Sequence, residues 1–295
     1  MIYRIAIALI ALLPTLLRAQ ADPLVEAYRH YQAGEIGKAR QYADEAVGSA
    51  AHANDPEAWL LHGFIYKDLF KSASPGSEAD SLRNVSIESL YRSIELDEKG
   101  IYQENARQAY EYMGRTFYNE AARELNDMDP ERAESLFLSY KETIRRLDPG
   151  ADLRQREIEF NNALGTVYTK RFNQDRSNDA PFRSAVEAYE RVLKVDPNNY
   201  GANYNLATLH YNRGVYNIRS IKADDDIPSI QQIQEVSREY FQQALPYMLK
   251  AHDMNPTRRE TLLGLEGIYY SLQDQESSDK FRQLFEELPP QEEGR

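Results

Sequence analysis

Five histidines, an aspartate triplet and several closely spaced glutamates are the residues of this chain best equipped to handle protons or metal ions. Their spacing argues against both tasks. His30, His52, His62, His210 and His252 form no H-x3-H pair, and there is no cysteine near them, so no zinc site is expected. Asp224-Asp225-Asp226 lacks the alternation and the glycine of a calcium loop, and it stands just before Pro228-Ser229, which suits a solvated loop leading into a helix. Glu157 and Glu159 are two apart, so on a helix they do not face one another and make a poor acid/base dyad. The chain contains no phosphate-cradling glycine loop, no G-x-S-x-G and no H-E-x-x-H. No catalytic residue, metal or cofactor is therefore expected, and binding ranks above catalysis.

Composition narrows what could be bound. Arg4 precedes an apolar run from Ile5 to Leu17 broken by Pro14, and Ala19-Gln20-Ala21 offers a small-residue cleavage site, which describes a signal peptide over residues 1–20. The alternative is an uncleaved anchor, but the run is short of the about 20 apolar residues that a span needs. The mature chain is expected to be exported, periplasmic or secreted, without membrane insertion. Having no cysteine, it can use neither disulfides nor a lipoprotein lipid. Loss of Arg4 and Arg18 with the leader takes the formal charge from -12 to -14. Such a surface repels phosphate, so nucleic acid is not an expected partner, and anionic lipid is disfavoured for the same reason.

Past the leader the apolar residues recur every three or four positions, and no Asn-Gly or Asp-Gly hairpin dipeptide occurs. The chain reads as all-α. Asp148-Pro149, Asp196-Pro197 and Asn255-Pro256 each follow an apolar-periodic run and mark helix ends. Trp59-Leu60-Leu61-His62-Gly63-Phe64-Ile65-Tyr66 fits the pattern W-x2-L-G-x2-Y with His for Leu, and Ala185-x3-Tyr189 followed by Pro197 fits the helix that partners it. On these residues the chain resembles the tetratricopeptide-repeat family over nearly its whole mature length. The large-large-small-aromatic slots recur at Tyr110, Met113, Gly114 and Phe117, at Asn161, Leu164, Gly165 and Tyr168, and at Asn203, Leu206, Ala207 and His210. They end with Leu262, Leu265, Glu266 and Tyr269, where Glu266 takes the small slot.

The resemblance implies a right-handed α-solenoid of about six helical hairpins over residues 21–288, with a disordered acidic tail at 289–295. Gly63, Gly114, Gly165 and Ala207 are expected to meet Ala39, Ser86, Ala185, Ala244 and Ser278 where paired helices cross. Asn84-Val85-Ser86 matches an N-glycosylation acceptor only as a string, because Ser86 fills one of these packing slots. The family leaves nine residues from the last aromatic slot to the small slot of the second helix. His30 to Ala39 and Tyr269 to Ser278 keep that spacing, whereas the four middle units carry extra chain at the same hairpin edge. Extra lengths of about two or three turns suit lengthened helices. The stretches "ASPGSEAD" and "IKADDDIPS" read instead as loops. These insertions either thicken the array or belong to a binding surface.

By the same resemblance, the first helix of each pair lines a concave groove with Glu159, Asn162, Thr166 and Thr169, then Tyr204, Asn205, Thr208, Tyr211 and Asn212, then Leu263 and Tyr270. Spacings of three and four place each set on one helical face. The groove is expected to be polar, uncharged and aromatic, a composition suited to peptide main chain or sugar. It lacks the basic residues with which the family's carboxylate clamps seize a chain terminus. Two functions stay open: a protein-interaction scaffold of the cell envelope binding a protein or peptide, and a small-ligand or glycan-binding module of a nutrient or wall system.

Overall fold

The computed structural model describes residues 21–289, and helices are the regular structure of that stretch. They are α1 (Pro23–Gln32), α2 (Ile36–Gly48), α3 (Pro56–Ser72), α4 (Ser77–Leu96), α5 (Gln103–Asn126), α6 (Pro130–Leu147), α7 (Arg154–Gln174), α8 (Asp179–Val195), α9 (Tyr200–Arg219), α10 (Ile227–Met254), α11 (Arg259–Ser271) and α12 (Gln275–Glu286). Residues 1–20, expected to be a signal peptide, and residues 290–295 of the expected acidic tail lie outside the described residues. The chain forms two compact units, one up to Arg115 and one from Thr116.

Helix ends follow from side-chain chemistry. As expected, α6, α8 and α10 stop one residue before Asp148-Pro149, Asp196-Pro197 and Asn255-Pro256. Starts use an acceptor side chain followed by proline: Asp22, Asp55 and Asp129 accept from the amides of Leu24, Glu57 and Arg132 at 2.8, 3.0 and 3.0 Å, with Pro23, Pro56 and Pro130 next in line. The carboxylate satisfies an orphan donor, and proline has no amide to leave unpaired. Asp226 does the same for α10, accepting from the Ser229 amide at 2.7 Å. The aspartate triplet is therefore a helix entry, as its sequence context implied.

Consecutive helices pack as antiparallel pairs: α1 with α2, α3 with α4, α7 with α8, α9 with α10 and α11 with α12. The part of α5 after Thr116 meets α6 through the Tyr118 ring, 6.1 Å from that of Phe137 and 5.3 Å from that of Tyr140. Within each unit the first helices of successive pairs also touch, α1 with α3, α7 with α9 and α9 with α11. That adjacency is how tetratricopeptide hairpins stack, each burying a face that it cannot bury alone.

The register of small residues holds, with one correction. Ser86 Oγ donates to the Gly63 carbonyl at 2.8 Å and Ser278 Oγ to the Glu266 carbonyl at 3.2 Å, so in these two pairs the small slot of the second helix lies on the slot of the first. A Cβ added at Gly63, however, would come within 2.7 Å of Leu90, and one at Gly165 within 2.7 Å of the Tyr189 ring. Leu90 and Tyr189 stand one turn beyond Ser86 and Ala185. The crossing is thus small against large, the glycine making room for a bulky neighbour rather than for a second small residue. In the last pair Glu266 replaces the glycine and Arg282 the bulky partner, and the two form an ion pair at 2.7 Å. Charge is tolerated there because Arg282 is only partly covered. Trp59, the first residue of the W-x2-L-G-x2-Y match, is half-buried, its indole donating to the Ala53 carbonyl at 2.9 Å.

Most of the extra chain is helix. α3 and α4 have 17 and 20 residues, against 13 and 12 in α11 and α12. Both stretches read as loops are partly helical: α4 already begins at Ser77, with Glu78 and Asp80 in its first turn, and α10 begins at Ile227. Acidic residues at a helix N-terminus favour helix over loop because they face its positive end. The longest hairpin, α9 with α10, has 20 and 28 residues and stands beside the short pair α11/α12.

Candidate binding site

All the expected groove residues fall in the second unit, on α7, α9 and α11. Tyr204, Thr208, Tyr211, Asn212 and Leu263 come together in one cleft of about 310 Å³, with Met248, Glu260 and Gly264 completing its walls. Their positions on α9 follow the helical spacing, and α11 faces them because α9 and α11 are neighbouring first helices. Tyr204 stacks on Tyr200, ring centres 5.9 Å apart and planes 9° from parallel, while the Arg258 guanidinium lies 4.9 Å from the Tyr200 ring centre. Burial pushes the Tyr204 hydroxyl pKa up, so it stays a protonated donor. Leu263 is 47% exposed, an apolar side chain offered to solvent at the cleft mouth.

The other expected residues are occupied differently. Glu159 meets Arg156 at 3.0 Å and accepts from the Tyr118 hydroxyl at 3.1 Å. Thr166, Thr169 and Thr208 donate to the carbonyls of Asn162, Gly165 and Tyr204 at 2.9, 2.7 and 2.8 Å, so their own helices take their protons. Asn205, Thr166 and Thr169 surround the buried Tyr189 hydroxyl, whose pKa burial raises. Asn162 donates to the Asn199 side chain at 3.3 Å, and its own Oδ1 is buried without a hydrogen-bond partner. An unsatisfied buried acceptor is costly.

Two expectations are corrected. The groove is not uncharged, since Glu260 lines the cleft and pairs with Arg258 at 3.3 Å, and Glu159 is ion-paired on α7. Tyr270 does not close the same cleft. It lines a second one of about 510 Å³ with Val215, Ile218, Arg219, Phe241, Ser271, Gln273 and Gln275. Met248 and Phe241 were out of reach of a reading confined to first helices, because both belong to α10. Glu260 carried a signal, standing three before Leu263 on the same face of α11.

His62 and His210, which both stand in repeat slots, are buried. His62 is tied at both nitrogens, to Ser89 Oγ at 2.7 Å and to Asp44 at 2.9 Å, and burial lowers its pKa against the pull of Asp44. Burial pushes His210 down to about 4. Among the described residues no group of three His, Cys, Asp or Glu side chains is arranged to hold a metal ion, and no helix is long and apolar enough to cross a membrane.

The fold is an all-helical array of stacked hairpins, as the resemblance to tetratricopeptide repeats implied, and its clefts open between the neighbouring first helices α9 and α11. No family model matches the chain, and no curated protein sequence does. Among solved structures the chain is similar to MamA, at 13% identity over 89% of this chain and 87% of that one, with a TM-score of 0.29. It is also similar to PilW, described as a widely conserved type IV pilus biogenesis factor, at 15% identity over 90% and 91%, with a TM-score of 0.33. Human IFIT1, solved as a dimer with m7Gppp-AAAA, shares 11% identity over 90% of this chain, with a TM-score of 0.31, and the chain spans 59% of that protein's length.

Proposed function

We propose that this chain is a non-enzymatic protein-interaction scaffold of the cell envelope, which holds an extended segment or a neighbouring subunit along the α7, α9 and α11 face. The observation that carries this reading is the cleft walled by Tyr204, Tyr211, Asn212 and Leu263, in which flat apolar area sits beside hydrogen-bonding groups. Export rests on the leader-like residues 1–20. A scaffold rather than an enzyme fits the histidines, since the low basicity of His62 and His210 follows from burial in the helix packing.

The glycan-binding alternative needs free aromatic faces. Tyr200 and Tyr204 stack on each other and Arg258 lies over Tyr200, so Tyr270, 65% exposed, is the best platform left to it. The test is affinity capture from envelope extract with the mature chain and with the Tyr204→Ala/Tyr211→Ala double variant, followed by identification of what is retained. Partners held by the wild type and released by the double variant are expected; equal recovery by both removes this cleft from the account.

A further inference from the structure

We infer that the second cleft, at the step between the long α9/α10 hairpin and the short α11/α12 hairpin, is a subsite for a large apolar residue with an acidic residue beside it in the partner segment. The inference rests on the binding reading above and names the chemistry of that partner.

The step exists because α9 and α10 outrun their neighbours. Val215, Ile218 and Arg219 lie on the last turns of α9, while Ser271, Gln273 and Gln275 belong to the turn where α11 passes into α12. The chain from the lengthened hairpin thus forms a wall that the short hairpin cannot cover. Phe241 of α10 supplies apolar surface at the base. A Cβ at Gly214 would come within 2.5 Å of the Phe241 ring, so glycine is what lets that ring lie against α9. Ile218 and Tyr270 stand on either side, 38% and 65% exposed, and give an incoming apolar side chain two more surfaces.

Charge decides what accompanies that side chain. The chain as a whole carries -12, yet Arg219 is the one formally charged residue lining this cleft, among a serine and two glutamines. Arg219 makes no ion pair or side-chain hydrogen bond among the described residues. A guanidinium with its donors uncommitted, beside amide and hydroxyl groups, is a fork for a carboxylate. The acidic remainder of the surface would attract a basic segment elsewhere, so this rim opposes the overall charge and sets orientation.

The two clefts follow one face of α9. From Tyr204 to Arg219 is about 22 Å of helix at 1.5 Å per residue, the span of about seven residues of extended chain. One segment can therefore place its body against Tyr204 and Tyr211 and its apolar and acidic pair at the step. The carboxylate proposed is that of an internal Asp or Glu next to the apolar residue.

Random twelve-residue linear peptides displayed on phage and selected on the full mature chain provide the probe, followed by anisotropy with the enriched sequences made as fluorescein-labelled peptides. Enriched peptides are expected to carry a large apolar residue within two positions of Asp or Glu. Arg219→Glu should weaken them about tenfold, the loss of a charged hydrogen bond, and a peptide with Lys in place of the acid should regain affinity for that variant. Tyr270→Ala should weaken the same peptides. Both residues are exposed, so each variant folds, which circular dichroism checks. Peptides that depend on Tyr204 and Tyr211 but ignore Arg219→Glu would overturn the subsite and leave the scaffold reading standing. Binding that requires a free C-terminal carboxylate, lost on amidation, would overturn the internal acid. Enrichment of no peptide would overturn both.

Discussion

The hairpin α3/α4 in the first unit and α9/α10 in the second are both lengthened, but their interiors are finished in opposite ways. In α3/α4 polar groups stitch one helix to the other: Ser86 to the Gly63 carbonyl, Ser93 to the Pro56 carbonyl at 2.8 Å, and His62 to Ser89 on one side and Asp44 of α2 on the other. In α9/α10 rings gather instead around His210, from α10 and from α8 of the preceding pair. His210 lies 5.6 Å from the Phe182 ring and 6.2 and 6.3 Å from those of Tyr240 and Tyr247, and its Nδ1 is buried without a hydrogen-bond partner. A hydrogen-bonded interior specifies one register, whereas an aromatic one with an unpaired imidazole holds by burial and bears a desolvation cost. The hairpin with the unpaired imidazole also supplies a wall of both clefts.

The largest expected difference between the two hairpins is in pH response. An unfolded histidine titrates near 6.5, whereas His210 in the fold is held down to about 4 by burial. Between those values the unfolded chain binds the proton that the folded chain refuses. Stability is therefore complete above about pH 6.5 and falls as the pH drops toward 4, by on the order of 3 kcal/mol for this group. His62 acts with the same sign, tempered by Asp44. Urea midpoints of wild type and His210→Phe from pH 7.5 to 4.5 check this: the variant should lose much of the acid slope, and parallel curves would show that His210 is not its source.

Next in size are the glycines. Gly63→Ala and Gly214→Ala should each cost about 1–3 kcal/mol by overpacking. Gly214→Ala should cost more, because its added Cβ meets the rigid Phe241 ring at 2.5 Å whereas that at Gly63 first meets the Leu90 side chain at 2.7 Å. Chemical denaturation of both variants ranks them, and the reverse order would put the tighter crossing in α3/α4. The smallest effect is that of one stitch. Ser93→Ala should cost about 1 kcal/mol, the net value of a buried hydrogen bond, and an unchanged denaturation midpoint would mean that the serines contribute space rather than bonding.

Much of the architecture was legible before any coordinates. The Asp-Pro and Asn-Pro stops lie where α6, α8 and α10 end, and the serine slots lie on the carbonyls of Gly63 and Glu266. The large partner of each small slot was not legible, because Leu90 and Tyr189 look like ordinary core residues until the crossing point is known. Of the expected groove, five residues share one cleft, while Asn205 and the threonines of α7 turn to internal bonds. A threonine at a surface position reads the same in sequence whether its hydroxyl faces a ligand or its own helix carbonyl.

Periodicity, proline stops, acceptor caps and the recurrence of small residues are properties of neighbours within a turn or two, and the sequence by itself determined those. Only the tertiary structure decided where the clefts lie. Arg219, Phe241 and Tyr270 meet because helices of 20 and 28 residues overhang a pair of 13 and 12. That step is a difference in length between hairpins, and no local run of residues encodes it.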